Sequence, residues 1–249
     1  MYSFTSRVRF SEIDEQRMLS IPSIINYLQD CSTFHSESVG RGMAHVDEVG
    51  LAWLLAGWEL QIDRLPRFDE EIRISTWATG FNRLFAKRNF TICTAGDARA
   101  EHPLVCADSL WFLFDRKTGR PIRPPQAEIE PFLPDLADDK PLDMPPMQRH
   151  LRVHDAGTPA APVVVTGAHI DTNHHVNNAQ YVSIALGVLP EQVALGARRI
   201  DVQYSVAAKL GDTIYPHVHA DAADAAGTTG TIVTLDAQDG TTYAAVRVQ

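Results

Sequence analysis

The most constraining feature of this chain is an order of elements that occurs twice, a helix followed by a meander of strands. Ser20 can cap a helix with Pro22 in its first turns, and Ile21, Ile24, Ile25, Leu28, Cys31 and Ser32 recur at helical spacing until Gly40. Alternating segments follow at Trp53–Leu65, Ile72–Thr79, Leu84–Ala95 and Val105–Phe114, punctuated by Pro66, Gly80 and Gly96-Asp97. The order then returns. A short apolar strand at Val163–Gly167 leads into a helical stretch over Asn178–Leu189. Strands are expected near Arg198–Ala207, Thr213–Ala220, Gly230–Asp236 and Thr241–Val248. The repeat is also visible residue by residue. Phe10-Ser-Glu-Ile13-Asp14 resembles Ala168-His-Ile170-Asp171, and Ile62 through Ile72 lies on Tyr204 through Ile214 without a gap, acidic turn included.

Two copies of one α+β unit are therefore expected. Between about Asp115 and Pro162 the periodicity lapses and prolines crowd in at 121, 124, 125, 131, 134, 141, 145 and 146. The resulting partition is a first domain over 1–125, a Pro-rich linker over 126–160 and a second domain over 161–249. All four tryptophans and all ten phenylalanines fall at or before Phe132. Either the first unit shapes an apolar ligand pocket while the second carries polar chemistry, or the two halves pack their cores differently.

Composition removes several classes of function. The net charge of −9 lacks the basic excess of a nucleic-acid binder, although Lys87-Arg88, Arg116-Lys117, Arg120 with Arg123, and Arg198-Arg199 are local positive clusters. No apolar run reaches the ~18 residues of a membrane span, and MYSFTSRVRF is unlike a secretory leader, so no membrane insertion and a cytoplasmic location are expected. Cys31, Cys93 and Cys106 have no CxxC spacing and suggest reduced thiols.

The chemistry-bearing segment is Asp171-Thr-Asn173-His174-His175-Val-Asn177-Asn178, where a short strand gives way to a helix. As plain structure it is a capped helix start and a polar turn. As a site it offers what acyl transfer to water needs. Asp171 can act as base or nucleophile, His175 can orient water or exchange protons, and Asn173 can donate to an oxyanion, aided by the helix N-terminus. A metal site built from His169, His174, His175, His217 and His219 competes weakly. Adjacent histidines diverge, and no Glu stands at a metalloprotease-like spacing. A Cys-His-Asn mechanism finds no cysteine after Asp171, and no GxSxG or phosphate loop is present.

The run DTNHHVNNAQY, Asp171 to Tyr181, resembles the D-x-N-x-H-V-N-N-x-x-Y signature of the acyl-acyl-carrier-protein thioesterase family. Asn26-Tyr-Leu-Gln29-Asp30 with His35, Glu37 and Gly40, then Gly50-Leu-Ala-Trp53, Ser75-Thr-Trp77, Asp108-Ser-Leu-Trp111 with Asp115, and Gly119-Arg-Pro121 are similar to further landmarks. The resemblance implies two tandem hot-dog domains, each an antiparallel sheet wrapped around a central helix and fused as a pseudo-dimer. It implies hydrolysis of fatty acyl thioesters of acyl carrier protein (ACP) to free fatty acid and ACP, without cofactor or metal. Asp171, Asn173 and His175 would be the active residues, with Asn177 and Asn178 structural. The alternatives are acyl-CoA hydrolysis on the same fold and a non-catalytic thioester-binding module. A monomer or a homodimer fits such a chain.

One departure stands out. Where the family commonly carries a Glu after its Tyr-x-x, this chain has Ala207 within Tyr204-Ser-Val-Ala207-Ala208. Asp201 is the alternative carboxylate, a poor one on strand geometry. Ser183-Ile184 is a second departure, at helix positions where relatives often carry larger or acidic residues.

Overall fold

A computed structural model describes residues 1–97, 100–148, 150–221 and 229–249. The chain divides into two compact units, Met1–Gly57 with Ile62–Met147, and Trp58–Gln61 with Gln148–Gln249.

In the first unit, β1 (Tyr2–Arg7) precedes the long helix α1 (Ile21–Ser38), the short α2 (Met43–Val49) and β2 (Leu51–Ile62), of which Trp58–Gln61 group with the second unit. The meander β3 (Glu71–Phe81), β4 (Phe85–Thr94) and β5 (Val105–Asp115) then completes a sheet ordered β1-β3-β4-β5-β2, with β6 (Arg120–Ile122) paired to β5. α1 starts where Ser20 Oγ accepts the Ser23 N–H, Pro22 occupying the first turn, where no helix bond is lost. It ends as Gly40 turns left-handed at φ +70°. Its expected apolar face is the buried one, and Tyr27 and His35 join it. Ile24, Ile25 and Leu28 lose all solvent exposure, each contributing about 1.5–3 kcal/mol of burial. Gly80 does not break the strand. It sits at a register shift between β3 and β4, so the residue that looked like a turn marks a bulge.

The second unit begins with the short strands β7 (Thr158–Pro159) and β8 (Val163–Val164) and continues through α5 (Asn178–Gly187) and α6 (Glu191–Gly196). β9 (Arg199–Tyr204), β10 (Thr213–Asp221), β11 (Gly230–Asp236) and β12 (Thr242–Val248) form a sheet ordered β9-β12-β11-β10-β7, with β8 also on β10. Element by element this is the first unit's order, with β7 and β8 in the place of β1. The repeat extends to single hydrogen bonds. Val8 N–H donates to the Glu70 carbonyl at 3.0 Å and Val165 N–H to that of Asp212 at 2.8 Å. Glu70 caps the Arg67 N–H at 2.9 Å and Asp212 caps that of Lys209 at 2.8 Å. Both turns need a left-handed residue, Asp69 at φ +69° and Gly211 at φ +89°.

The stretch expected as a linker is structured at both ends. Its first part forms the helical turns α3 (Gln126–Ile129) and α4 (Leu133–Asp138) within the first unit. Pro131 and Pro134 sit at helix starts, where a missing N–H costs nothing, so their density signals punctuation instead of an unfolded tether. Asp135 Oδ2 accepts the Ala78 N–H at 2.8 Å, and the Lys140 carbonyl accepts from Trp77 Nε1 at 3.1 Å. From Gln148 onward the chain belongs to the second unit, where Gln203 holds both the Leu151 N–H and the Gln148 carbonyl.

Candidate active site

The segment before α5 folds as a five-residue turn. Ile170 and Val176 form an antiparallel bridge, and inside it the Asp171 N–H donates to the His175 carbonyl at 2.9 Å. His174 N–H donates back to the Asp171 carbonyl at 3.1 Å, with His174 left-handed at φ +60°. Asp171 Oδ1 accepts the Asn173 N–H at 2.8 Å, which fixes the carboxylate over the turn. Asp171 and His175 thus face each other across its neck. Both are half-buried, whereas Asn173 at the tip is exposed. Among the described residues Asp171 Oδ2, the His175 ring and the Asn173 amide carry no protein hydrogen bond, so all three are available to a ligand or water.

Asn177 and Asn178 have other work. The Asn177 side chain accepts the Ala179 N–H at 2.8 Å as the N-cap of α5, and its own N–H reaches the His169 carbonyl at 2.9 Å. The Asn178 carbonyl receives the Tyr204 hydroxyl at 3.1 Å. The turn's outgoing side is tied down by Val176 N–H to the Ala208 carbonyl at 3.0 Å, and Ala208 N–H in turn donates to the Tyr181 hydroxyl at 2.8 Å. The hydroxyl contacts of both tyrosines are not legible in the sequence. Their partners lie 26 and 27 residues away, and the only local trace of Tyr181 is its place in the signature.

The first unit builds the same turn with other side chains. Ile13 bridges Leu19, Asp14 N–H donates to the Met18 carbonyl at 2.8 Å, and Arg17 takes the left-handed position at φ +60°. Asp14 Oδ1 accepts from Gln16 and Met18, each at 2.9 Å. Ser20 replaces Asn177 as helix cap. Gln16 and Met18 therefore stand where the second unit has Asn173 and His175. A thioether exchanges no protons, so only the second turn pairs a carboxylate with an imidazole.

Ala207 is exposed and immediately precedes Ala208, so the position of the family's Glu borders the turn but offers no carboxylate there. Asp201, the alternative carboxylate, is engaged elsewhere. It is buried on β9, ion-paired with Arg199 at 3.3 Å and Arg247 at 3.5 Å, and Arg199 also binds Glu59 at 3.0 Å. Burial raises its pKa against the pull of the two arginines. The competing histidines also separate. His169 Nδ1 accepts the Thr166 N–H, His217 pairs with Asp236 at 3.0 Å, and His219 lies between Asp155 at 2.5 Å and Thr234 at 3.2 Å. His217 and His219 border a cavity of about 510 Å³ on β10 and β11, which Asp171, Asn173 and His175 do not line. Among the described residues no three His, Cys, Asp or Glu side chains are grouped to hold a metal ion.

Two helix-wrapping sheets of one topology, with a carboxylate-imidazole turn at the second helix, define a double hot-dog protein. Comparison with known proteins narrows this class. The model of the acyl-ACP thioesterase N-terminal domain matches residues 1–132 and that of the C-terminal domain residues 160–249, so the chain belongs to the acyl-ACP thioesterase family. A chloroplastic acyl-(acyl-carrier-protein) hydrolase of Cuphea viscosissima is 25% identical over 197 residues, 75% of this chain and 46% of the relative. The chloroplastic palmitoyl-acyl carrier protein thioesterase of Arabidopsis thaliana is 26% identical over 203 residues, 74% of this chain and 46% of the relative. The chain thus spans about half the length of the curated relatives it matches. Among solved structures, a Lactobacillus plantarum protein assigned as an oleoyl thioesterase superposes with TM-score 0.85 at 24% identity, over 100% of this chain and 94% of that one. The 12:0-ACP thioesterase of Umbellularia californica superposes with TM-score 0.81 at 17% identity, over 100% and 96%. These superpositions show the double hot-dog fold.

Proposed function

We propose that this chain hydrolyses fatty acyl-ACP to free fatty acid and ACP at the turn bearing Asp171, Asn173 and His175. The observation that carries the reading is the contrast between the two turns. One backbone is built twice, and the residues suited to acyl transfer stand only in the second. Asp171, with Oδ1 holding the turn and Oδ2 free, takes a proton from water as the water oxygen bonds to the thioester carbonyl carbon. The Asn173 amide and the positive end of α5 stabilise the resulting oxyanion. Collapse of the tetrahedral intermediate breaks the C–S bond, and the leaving thiolate receives the proton, directly or through His175. Direct attack by Asp171, giving an anhydride that water then cleaves, uses the same atoms. No step draws on a cofactor.

A second reading has its own support. Ala207 leaves the mouth of the turn without the family's second carboxylate, which suits a protein that binds thioesters and turns them over slowly. Side-by-side assays of an acyl-ACP panel and the matching acyl-CoAs, with the wild type and Ala207→Glu, separate the possibilities. Turnover of acyl-ACP by the wild type, raised in Ala207→Glu, is the expected result. Turnover confined to acyl-CoA would reassign the carrier. Binding without turnover, cured by Ala207→Glu, would establish the binding module.

A further inference from the structure

We propose that Tyr181 is a positioning residue of this site, its hydroxyl holding the Ala208 backbone so that the Ala208 carbonyl can fix the strand that leaves His175. This rests on the reading of the Asp171–His175 turn as the reaction centre. Ala208 is fully buried and its N–H has one partner, the Tyr181 hydroxyl at 2.8 Å. On its other side the Ala208 carbonyl accepts the Val176 N–H at 3.0 Å, one residue past His175. Burial, with the Asp212 and Asp171 carboxylates nearby, pushes the Tyr181 phenol up to about 12, so it remains a neutral acceptor. The Tyr204 ring lies 5.9 Å from it and the Tyr204 hydroxyl donates to the Asn178 carbonyl, so two hydroxyls tie the Tyr204–Ala208 stretch to the first turn of α5.

The first unit supplies an internal control. Leu19 N–H donates to the Pro66 carbonyl at 2.7 Å, as Val176 does to that of Ala208, so the same strap crosses the same turn. Pro66 has no N–H to satisfy. Four residues past the helix cap, where the second unit carries Tyr181, the first carries the fully buried Ile24. A backbone donor is matched by a hydroxyl, and its absence by a hydrocarbon. The pairing follows from the cost of a buried unpaired N–H. It also predicts that the two residues are exchangeable only together. Phe at 181 strands the Ala208 N–H, and Pro at 208 drives its ring against the Tyr181 oxygen, whereas the two changes combined recreate the arrangement of the first unit.

The test compares wild type, Tyr181→Phe, Ala208→Pro and the double variant by kcat and KM on an acyl thioester, thermal midpoint and amide exchange at Val176. Tyr181→Phe should lower kcat on the order of tenfold or more with KM within about twofold, because it displaces reacting groups without removing a substrate contact. Val176 exchange should quicken on the order of tenfold. In the double variant both should return to within about threefold of wild type, while Ala208→Pro alone should be the worse single change. Wild-type kcat and exchange in Tyr181→Phe would overturn the proposal. So would a double variant no better than Tyr181→Phe in turnover or, if that variant does not fold, in folding. A wild type inert on every thioester would instead refute the proposed function. Exchange at Val176 would then still decide whether the clamp exists.

Discussion

The two turns allow the chemistry proposed for Asp171 to be separated from its structural work. In Asp171→Asn the side-chain carbonyl still accepts the Asn173 N–H, and the bonds from Asp171 N–H to His175 and from His174 N–H to the residue 171 carbonyl are backbone bonds that survive. Only the negative charge and its basicity are lost. A positioned base contributes about 10²–10⁴ in rate, or about 3–5 kcal/mol of barrier, and kcat should fall by that factor at an unchanged thermal midpoint. Asp171→Ala also deletes the Asn173 bond. The added stability cost is about 0.5–1.5 kcal/mol, each kcal/mol shifting the midpoint by about 2–4 °C for a chain of this size. Asp14 is the control. Its Oδ1 accepts two backbone donors, Gln16 and Met18, so Asp14→Ala should cost more stability than Asp171→Ala while turnover per folded molecule stays at the wild-type level. The assay is thiol release from acyl-ACP beside thermal unfolding for all four variants. Turnover in Asp171→Asn within about threefold of wild type, or an equal loss in Asp14→Asn, would refute the assignment of the carboxylate.

Two further perturbations test buried charged groups outside the turn. His35 is buried on α1 and accepts from Arg88 Nη1 at 2.8 Å; burial and the Arg88 charge pull its pKa down to about 4. Since the unfolded histidine titrates near 6.5, only the unfolded chain takes up this proton between the two values, and stability should fall as pH drops from about 6.5 to about 4. Denaturant unfolding across that range should show the slope, and His35→Gln should flatten it; an unchanged slope would remove His35 as its source. Asp201→Ala removes the carboxylate shared by half-buried Arg199 and buried Arg247, which keep Glu59 at 3.0 Å and Asp221 at 2.7 Å as partners, and should cost about 1.5–3 kcal/mol while the folded fraction keeps its turnover. Full stability with turnover abolished would make Asp201 the second catalytic carboxylate after all.

Much of this is legible in the sequence, for a local reason. Helix α1 follows from side chains three and four apart and from a cap and a left-handed glycine at its ends, all encoded within one segment. The acidic turns at Glu70 and Asp212 were visible as a gapless repeat, because a tight turn is set by a few adjacent residues. Gly80 misled because a glycine that bends a strand and one that reverses it read alike. The Pro-rich stretch misled because proline disrupts helix interiors but suits helix starts, and the packing of Asp135 under Ala78 lies 57 residues away in sequence.

The sequence by itself determined that there are two like units and where the Asp171–Asn178 motif lies, since periodicity and motif spacing are short-range properties of the chain. Tertiary structure alone decided what each residue does there. It showed Asp201 bound to two arginines, Asn177 working as a cap, and Asp14 heading a turn of the same shape without an imidazole. It also revealed that the Tyr181 hydroxyl satisfies the Ala208 N–H. Hydrogen-bond partners are chosen by proximity in the folded state, and burial sets the cost of leaving them unpaired; neither quantity is written in the order of residues.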